Sequence, residues 1–250
     1  CAKWAREFNK LVISEIEVAS ILCPATIIAV TGSNGKTTVT TLIGKVLVES
    51  GKKVFVCGNI GNPFCGEVAK AKAGDFVVLE VSSFQLETIK DFKPKIAVIL
   101  NCTANHLDRY NNLQEYLDAK KRIFMNQDGK DFLILSGSDP LLKEASGGAK
   151  SKVIYFNQEE GLNPNQSAVI SVGRILGLEA ARMKAVFREF KGIEHRLEEV
   201  AQIKGVKFIN DSKATTADSA IWAINSMACP VILIAGGRHK GIDYRVILEA

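Results

Sequence analysis

The sequence predicts an α/β fold built on a doubly wound, mostly parallel sheet. Short runs rich in Val and Ile alternate with segments of helical length, and these runs are apolar throughout instead of at every second position. Unbroken apolar strands separated by helices are typical of a parallel sheet that is covered on both faces. The predicted strands lie at residues 26–31, 53–57, 75–81, 95–100, 131–135 and 152–156.

The segments between these strands have the periodicity of helices. In residues 36–50 the apolar side chains recur at helical spacing. Residues 113–125 and 167–190 also read as helices, and the second of these is interrupted near Gly177. Helices placed between strands provide the crossover connections that a parallel sheet requires.

A change of pattern at residues 191–194 predicts a domain boundary near residue 192. Residues 26–191 then form a central domain, and residues 192–250 are the start of a further domain, which we expect to be truncated. Residues 1–25 have no sheet pattern, and we expect them to be a linker from a missing preceding domain. After the boundary, the sequence predicts a hairpin around Lys204 and Gly205, a helix from about residue 216, a strand at 230–236 and a helix at 243–250.

Composition excludes several classes of protein. Among 250 residues, 47% are hydrophobic and 24% are charged, as in an ordinary globular protein. The net charge is +5, with Lys and Arg scattered along the chain, which argues against a nucleic-acid surface. The six cysteines include no Cys-x-x-Cys pair, which indicates reduced cytoplasmic thiols instead of disulfides or zinc ligands. No apolar run reaches the ~18 residues of a membrane helix.

The octapeptide TGSNGKTT, residues 31–38, lies between a predicted buried strand and a predicted amphipathic helix. Glycines let the backbone approach an anion, and N–H groups around Ser33–Lys36 and at the helix N-terminus would surround phosphate oxygens. Lys36 would reach the terminal phosphates, and the Thr37 hydroxyl would hold Mg²⁺. Val30 stands where the usual loop has its first glycine, so a plain strand-to-helix turn with a solvated lysine is the alternative at this point.

Polar side chains follow two other predicted strands. Glu80 lies at the carboxyl end of one of them, and His106 and Asp108 follow the next. Ligands of doubly wound sheets collect at the carboxyl ends of the strands. Glu80 is therefore a candidate Mg²⁺ partner, and His106 is a candidate metal or substrate contact. A solvated strand end for Glu80 and a structural role for His106 are the alternatives.

Six motifs resemble, in their order along the chain, those of the Mur ligase superfamily. They are TGSNGKTT (31–38), GNIGNP (58–63), LEVSSFQLE (79–87), NHLDRY (105–110), GIEHRLE (192–198) and NDSKAT (210–215). The phosphate loop of this superfamily is the shortened form Gly-x-x-Gly-Lys-Ser/Thr, which accommodates Val30. Its members are ATP-dependent enzymes that join amino acids to the peptidoglycan precursor.

The resemblance implies a P-loop-type central ATPase domain followed by a Rossmann-like α/β domain, in a monomeric cytoplasmic enzyme. GNIGNP, SSFQLE and NDSKAT are similar to the branch that adds D-glutamate to UDP-N-acetylmuramoyl-L-alanine. In that reaction ATP phosphorylates the substrate carboxylate, and the amine of D-glutamate attacks the acyl phosphate. The implied cofactors are ATP and Mg²⁺, with two ions expected. The implied partners are these small molecules, with no nucleic acid and no membrane.

The resemblance also implies roles for individual residues. Nucleotide binding is expected from Gly32, Ser33, Asn34, Gly35, Lys36, Thr37, Thr38, Asn165, Arg196 and Asp211. Substrate contacts are expected from Asn59, Ser82, His106, Thr215 and Lys240. The expected metal-site residues are Thr37, Glu80, His106 and Lys120, and the expected catalytic residues are Lys36, His106, Lys120 and Lys213.

Lys120 matches a lysine that in this family reacts with CO₂ to become a carbamate. A site that collects two Mg²⁺ ions and phosphates benefits from another anionic oxygen ligand. Burial near cations lowers a lysine pKa enough to supply the neutral amine that the reaction needs. We expect the neighbouring Lys121 to be an ordinary solvated lysine.

Two other functions stay open. The first is another Mur ligase or folylpolyglutamate synthetase, which amino-acid choice would distinguish. The second is a P-loop module that binds nucleotide without catalysis. Asn59, His106 and Lys213 argue against the second, because nucleotide binding alone does not need residues on the substrate side.

Overall fold

The computed structural model of the chain describes residues 2–103, 109–215, 217–237 and 244–249. They belong to two compact units. The larger unit contains the residues up to Cys102 together with Gln114–Phe190, and the smaller one contains Thr103–Leu113 and the residues from Lys191 onward.

The larger unit is built on a six-stranded parallel sheet, which confirms the predicted fold class. Its strands are β1 Thr26–Thr31, β2 Val54–Gly58, β3 Phe76–Glu80, β4 Ile96–Ile99, β5 Phe132–Ser136 and β6 Lys152–Phe156. The order is β2-β3-β1-β4-β5-β6, and every neighbouring pair is parallel. The strand order reverses direction at β1, so the loop after β1 lies at the switch point where such sheets bind ligands.

Helices precede, connect and follow the strands of this sheet. They are α1 Ala2–Glu7, α2 Glu15–Leu22, α3 Lys36–Glu49, α4 Phe64–Val68, α5 Ser83–Leu86, α6 Leu113–Lys121, α7 Pro140–Ala145, α8 Pro164–Ile175 and α9 Ala180–Glu189. One face of the sheet packs on α3, α8 and α9 to form the main hydrophobic core. None of the helices in the described ranges is long and apolar enough to cross a membrane.

The helical segment predicted over 167–190 forms two helices, α8 and α9, and α8 begins earlier than predicted, at Pro164. Gly177 has a positive φ of 69°, which ends the first helix as a left-handed glycine commonly does. Asn165 was expected to precede the helix, but it lies in the first turn of α8. The helix begins earlier because Asn163 caps it, accepting a hydrogen bond from the Gln166 N–H, and because Pro164 suits the first helical position.

Residues 1–25, expected to be a linker, contain α1 and α2, and α2 packs against α4. Glu17 is only 2% exposed. Its carboxylate accepts hydrogen bonds from the backbone N–H groups of Lys90, Asp91 and Phe92, at 2.9, 2.8 and 3.0 Å. A buried charge with several donors holds its helix in one position on the unit.

We expect Glu17→Ala to lower the free energy of unfolding by about 2–3 kcal/mol, because it removes three charge-assisted hydrogen bonds at a buried position. Chemical denaturation measures this change. Glu15→Ala is the control, since Glu15 lies in the same helix turn, is less buried and accepts one backbone hydrogen bond, from the Cys65 N–H, instead of three. Equal stability of the two variants would contradict the anchoring role of Glu17.

The smaller unit contains an antiparallel hairpin and a helix. Strands β7 Glu198–Ile203 and β8 Val206–Asn210 meet at a turn formed by Lys204 and Gly205, both with positive φ, which confirms the predicted hairpin. Helix α10 covers Ala217–Asn225, close to the predicted start.

One prediction for the end of the chain was wrong, because residues 230–236 form no strand. The helix predicted at 243–250 is present over its described residues as a 3₁₀ helix, Tyr244–Glu249. Ile232 and Ile234 are 91% and 95% exposed. An apolar segment becomes a strand only when a neighbour takes its backbone hydrogen bonds, and no described strand pairs with this one.

Candidate functional site

The loop between β1 and α3 has the backbone that its sequence predicts. Gly35 is the N-cap of α3 and has a φ of 83°, a conformation that favours glycine. A Cβ atom there would also come within 2.5 Å of Asn165 Oδ1. The loop and the first turn of α8 are therefore in close contact, and only glycine fits between them.

Lys36 lies over this loop. Its Nζ donates hydrogen bonds to the carbonyl oxygens of Gly32 and Ser33, at 2.9 and 3.1 Å. The side chain is half-buried. These bonds keep the ammonium group at the mouth of the loop, where it can meet an anion that approaches the N-terminus of α3.

Glu80 joins the loop to the end of β2. Its side chain is buried at the carboxyl end of β3, next to β1. Oε2 accepts a hydrogen bond from Thr37 Oγ1 at 2.8 Å, and Oε1 accepts one from Asn59 Nδ2 at 2.9 Å. The Asn59 N–H also donates to the Glu80 carbonyl oxygen at 2.9 Å. Three residues expected at the metal and substrate sites thus form one hydrogen-bonded group.

This group offers donors that suit Mg²⁺. The cation prefers hard oxygen ligands, and it commonly combines one or two carboxylates with the oxygens of phosphates. The Glu80 carboxylate and the Thr37 hydroxyl are such ligands and lie beside the phosphate loop. Among the described residues, no cluster of three or more His, Cys, Asp or Glu side chains could hold a metal by itself.

Lys120 is a buried amine on α6, only 1% exposed. Its Nζ lies 4.1 Å from the centre of the Tyr116 ring. Burial lowers the pKa of Lys120 well below its usual range, and the nearby Lys36 charge lowers it further. Lys121, the next residue, is only partly buried and pairs with Asp118 at 3.3 Å. The two lysines thus have very different surroundings.

Cys102 lies close enough to Lys120 for their charges to interact. Burial raises the pKa of the Cys102 thiol to about 11, although the lysine charge opposes the shift. The thiol is therefore protonated at neutral pH and behaves as a small apolar side chain.

Ser82 takes part in a helix cap. Its hydroxyl accepts a hydrogen bond from the Gln85 N–H at 3.3 Å and donates one to Gln85 Oε1 at 3.0 Å. The Ser82 N–H donates to the same oxygen. The described contacts of Ser82 therefore fix the start of α5.

Asn101 is a residue of this site that the sequence motifs do not predict. It follows β4 and is hydrogen-bonded to the phosphate loop at Ser33 and Asn34. Its position at the carboxyl end of a strand beside the loop strand was the signal that could have identified it.

The smaller unit holds a second group of predicted site residues around Arg196. The residues on either side, His195 and Leu197, have positive φ values of 64° and 46°. Such conformations in non-glycine residues are strained and are frequent at functional sites. Asp211 Oδ1 accepts a hydrogen bond from the Leu197 N–H at 3.1 Å, and the Lys213 N–H donates to the His195 carbonyl oxygen at 3.1 Å.

These backbone bonds connect the segments that carry Arg196, Asp211 and Lys213. Lys213 and Thr215 have exposed side chains. His106 and Lys240 lie outside the described residues.

Comparison with known proteins gives a family and a fold. The Mur ligase middle domain model matches residues 30–198. A UDP-N-acetylmuramoylalanine--D-glutamate ligase from Pelotomaculum thermopropionicum is 39% identical, over 94% of this chain and 59% of that protein. The chain thus spans about three fifths of the length of this relative.

Two solved structures have the same fold at low identity. MurF ligase from Thermotoga maritima, in complex with ADP, has a TM-score of 0.66 and 18% identity, over 84% of this chain and 60% of that one. The bifunctional folylpolyglutamate synthase/dihydrofolate synthase from Yersinia pestis, complexed with AMPPNP and Mn ion, has a TM-score of 0.64 and 15% identity. That match covers 91% of this chain and 74% of the other.

Proposed function

Because the chain belongs to the Mur ligase family, we propose that it forms the nucleotide-binding part of an ATP-dependent ligase that joins D-glutamate to UDP-N-acetylmuramoyl-L-alanine. The observation that carries the proposal is the phosphate loop, with Lys36 at its mouth and Thr37 bonded to Glu80. A relative named for this reaction supports the choice of substrates. ATP use and reduced cysteines favour a cytoplasmic location, and we propose a monomer.

In this proposal the loop binds the ATP phosphates and Lys36 contacts the transferred group. Phosphoryl transfer to the muramoyl carboxylate gives an acyl phosphate, which the amine of D-glutamate attacks with loss of phosphate. Mg²⁺, when bound, neutralises charge that develops on the phosphoryl oxygens. Thr37, Glu80 and His106 would hold the metal, and Asn59 orients Glu80 through its hydrogen bond.

The remaining predicted residues fall into three groups. Asn165, which lies against Gly35, would contact the nucleotide base, and Arg196 and Asp211 would contact its phosphate and ribose. Lys213, Thr215 and Lys240 would bind phosphate or the carboxylate of D-glutamate. Ser82 and His106 would lie near the muramoyl substrate.

Lys120 completes the proposed metal site as a carbamate. Its neutral amine would attack the carbon of CO₂ and lose a proton, giving an anionic oxygen ligand. Burial supports this role because it favours the neutral amine. The group would then provide oxygen donors for a second ion beside the phosphates.

Amino-acid choice in the full-length protein tests the proposed function. Phosphate release from ATP should require both UDP-N-acetylmuramoyl-L-alanine and D-glutamate. Dependence on another amino acid or on a folate acceptor would indicate a different member of the superfamily. Nucleotide binding without acceptor-dependent phosphate release would indicate a non-catalytic module.

We expect Asp211→Ala to raise the KM for ATP about tenfold with a smaller change in kcat, because ribose contacts contribute mostly uniform binding. Steady-state kinetics of the full-length protein measures both constants. Asp211→Asn is the control, since it keeps an oxygen acceptor for the Leu197 N–H. A KM for ATP that stays unchanged in Asp211→Ala would count against a ribose contact.

A further inference from the structure

The phosphate loop is joined to the end of β4 by hydrogen bonds that continue beyond the two strands. Thr31 pairs with Ile99, and the Leu100 N–H then donates to the Thr31 carbonyl oxygen at 3.0 Å. The Ser33 N–H donates to the Asn101 carbonyl oxygen at 3.1 Å. The backbone pairing thus reaches into the loop after regular strand geometry has ended.

The Asn101 side chain supplies the next two bonds. Its Oδ1 accepts a hydrogen bond from the Asn34 N–H at 2.9 Å, and its Nδ2 donates one to the Asn34 carbonyl oxygen at 3.1 Å. A carboxamide has a donor and an acceptor side by side, so it can engage both polar groups of one residue. Aspartate lacks the donor, and an aliphatic side chain lacks both groups.

We propose that Asn101 is a positioning residue for phosphate binding, because it holds the backbone of Asn34 and thereby presets the shape of the loop. The proposal rests on the proposed function, which supplies the phosphate ligand. A loop already held in its binding shape loses less conformational freedom when the ligand arrives.

The same bonds determine which part of the loop meets the anion. The N–H groups of Ser33 and Asn34 point to Asn101 in this structure. Helix α3 begins at Lys36, and the N–H groups of its first turn have no acceptor within the helix itself. Phosphate oxygens therefore bind at this turn and at the Lys36 ammonium group.

Asn101 is itself held from the other side. The N–H of the next residue, Cys102, donates to Asp139 Oδ2 at 3.1 Å. Asp139 Oδ1 caps α7 by accepting hydrogen bonds from Leu141 and Leu142. The segment after β4 is thus fixed between the loop and α7, so Asn101 has a rigid support.

The test compares Asn101→Ala with Asn126→Ala in the full-length protein. Asn126 also donates two side-chain hydrogen bonds to backbone carbonyls, those of Lys90 and Phe92. These residues precede β4 and β5, so they lie toward the amino ends of the strands, away from the phosphate loop. Asn101→Ala should raise the Kd for ADP about tenfold, the effect of losing one to two hydrogen bonds. Asn126→Ala should leave this Kd unchanged.

Two further readouts separate positioning from general stability. Hydrogen exchange without ligand should show faster exchange of the Ser33 and Asn34 amides in Asn101→Ala only. In competition against a fluorescent ADP analogue, the affinity for inorganic tripolyphosphate should be lower in this variant than in the wild type. The affinity for adenosine should be the same in both. Asn101→Ser provides the same comparison if the alanine variant does not fold.

The outcomes test the two parts of the proposal separately. If the loop amides exchange at the same rate in Asn101→Ala and the wild type, Asn101 does not hold the backbone of the loop, whatever the ligand is. Changed exchange with an unchanged Kd for ADP would overturn the link to phosphate binding. A wild-type protein that binds no ADP would overturn the proposed function and, with it, the phosphate ligand, while the exchange data would still decide the holding role.

Discussion

Lys36→Ala should lower kcat/KM for ATP-dependent ligation in the full-length protein about 10³-fold. Removing one preorganised donor from a site where charge develops costs on the order of 10²–10³ in rate, and Lys36 supplies a full charge. Its ammonium group is already held over the loop by the carbonyl oxygens of Gly32 and Ser33. The charge is therefore in place before the nucleotide binds.

Lys45→Ala is the matched control for this variant. Lys45 lies on the same helix with an exposed side chain, and it should lose neither activity nor stability. Acceptor-dependent phosphate release measures activity, and thermal unfolding verifies that both variants are folded. Activity close to wild type in Lys36→Ala would contradict the assignment of residues 31–38 as a phosphate loop.

Lys120→Ala should lose about 10²-fold in activity, an effect of the size expected for a group that supports charge at the transferring phosphate. The variant loses the proposed carbamate, which would be an anionic ligand of the metal site. Small carboxylates such as formate or acetate should restore part of the activity, because they can provide the missing oxygens. Lys121→Ala should behave like the wild type, since that lysine is only partly buried and pairs with Asp118.

Carbamate formation can also be observed without an activity assay. Isotope-labelled CO₂ should give a carbamate signal that is present in the wild type and in Lys121→Ala and absent in Lys120→Ala. A mobile, unmodified Lys120 that points away from the loop, with metal and nucleotide bound, would refute the carbamate.

The sequence was sufficient to predict the sheet and the edge that carries the site. Unbroken apolar runs indicated parallel strands, and Glu80 lay at the carboxyl end of one of them. Its contact with Thr37 then depends on β3 lying beside β1, which places the two residues at the same edge. The order of the strands is sufficient to predict which carboxyl ends lie next to each other.

Other features depend on register and on contacts between distant residues. Asn101 reads as an ordinary polar residue after a strand, and its bonds to Asn34 exist only because Thr31 pairs with Ile99. Glu17 falls in the segment that the sequence predicts as a linker, yet its three donors lie 73–75 residues away. Periodicity describes a segment by itself, so it contains no information of this kind.

The contact between Gly35 and Asn165 has an electrostatic consequence. It brings together the N-termini of α3 and α8, and each helix N-terminus carries roughly half a positive elementary charge from its aligned peptide dipoles. The partial positive charges of the two helix ends add at one place, and neither charge depends on pH. An anionic nucleotide should therefore retain measurable affinity even in Lys36→Ala, and added salt should weaken this residual binding.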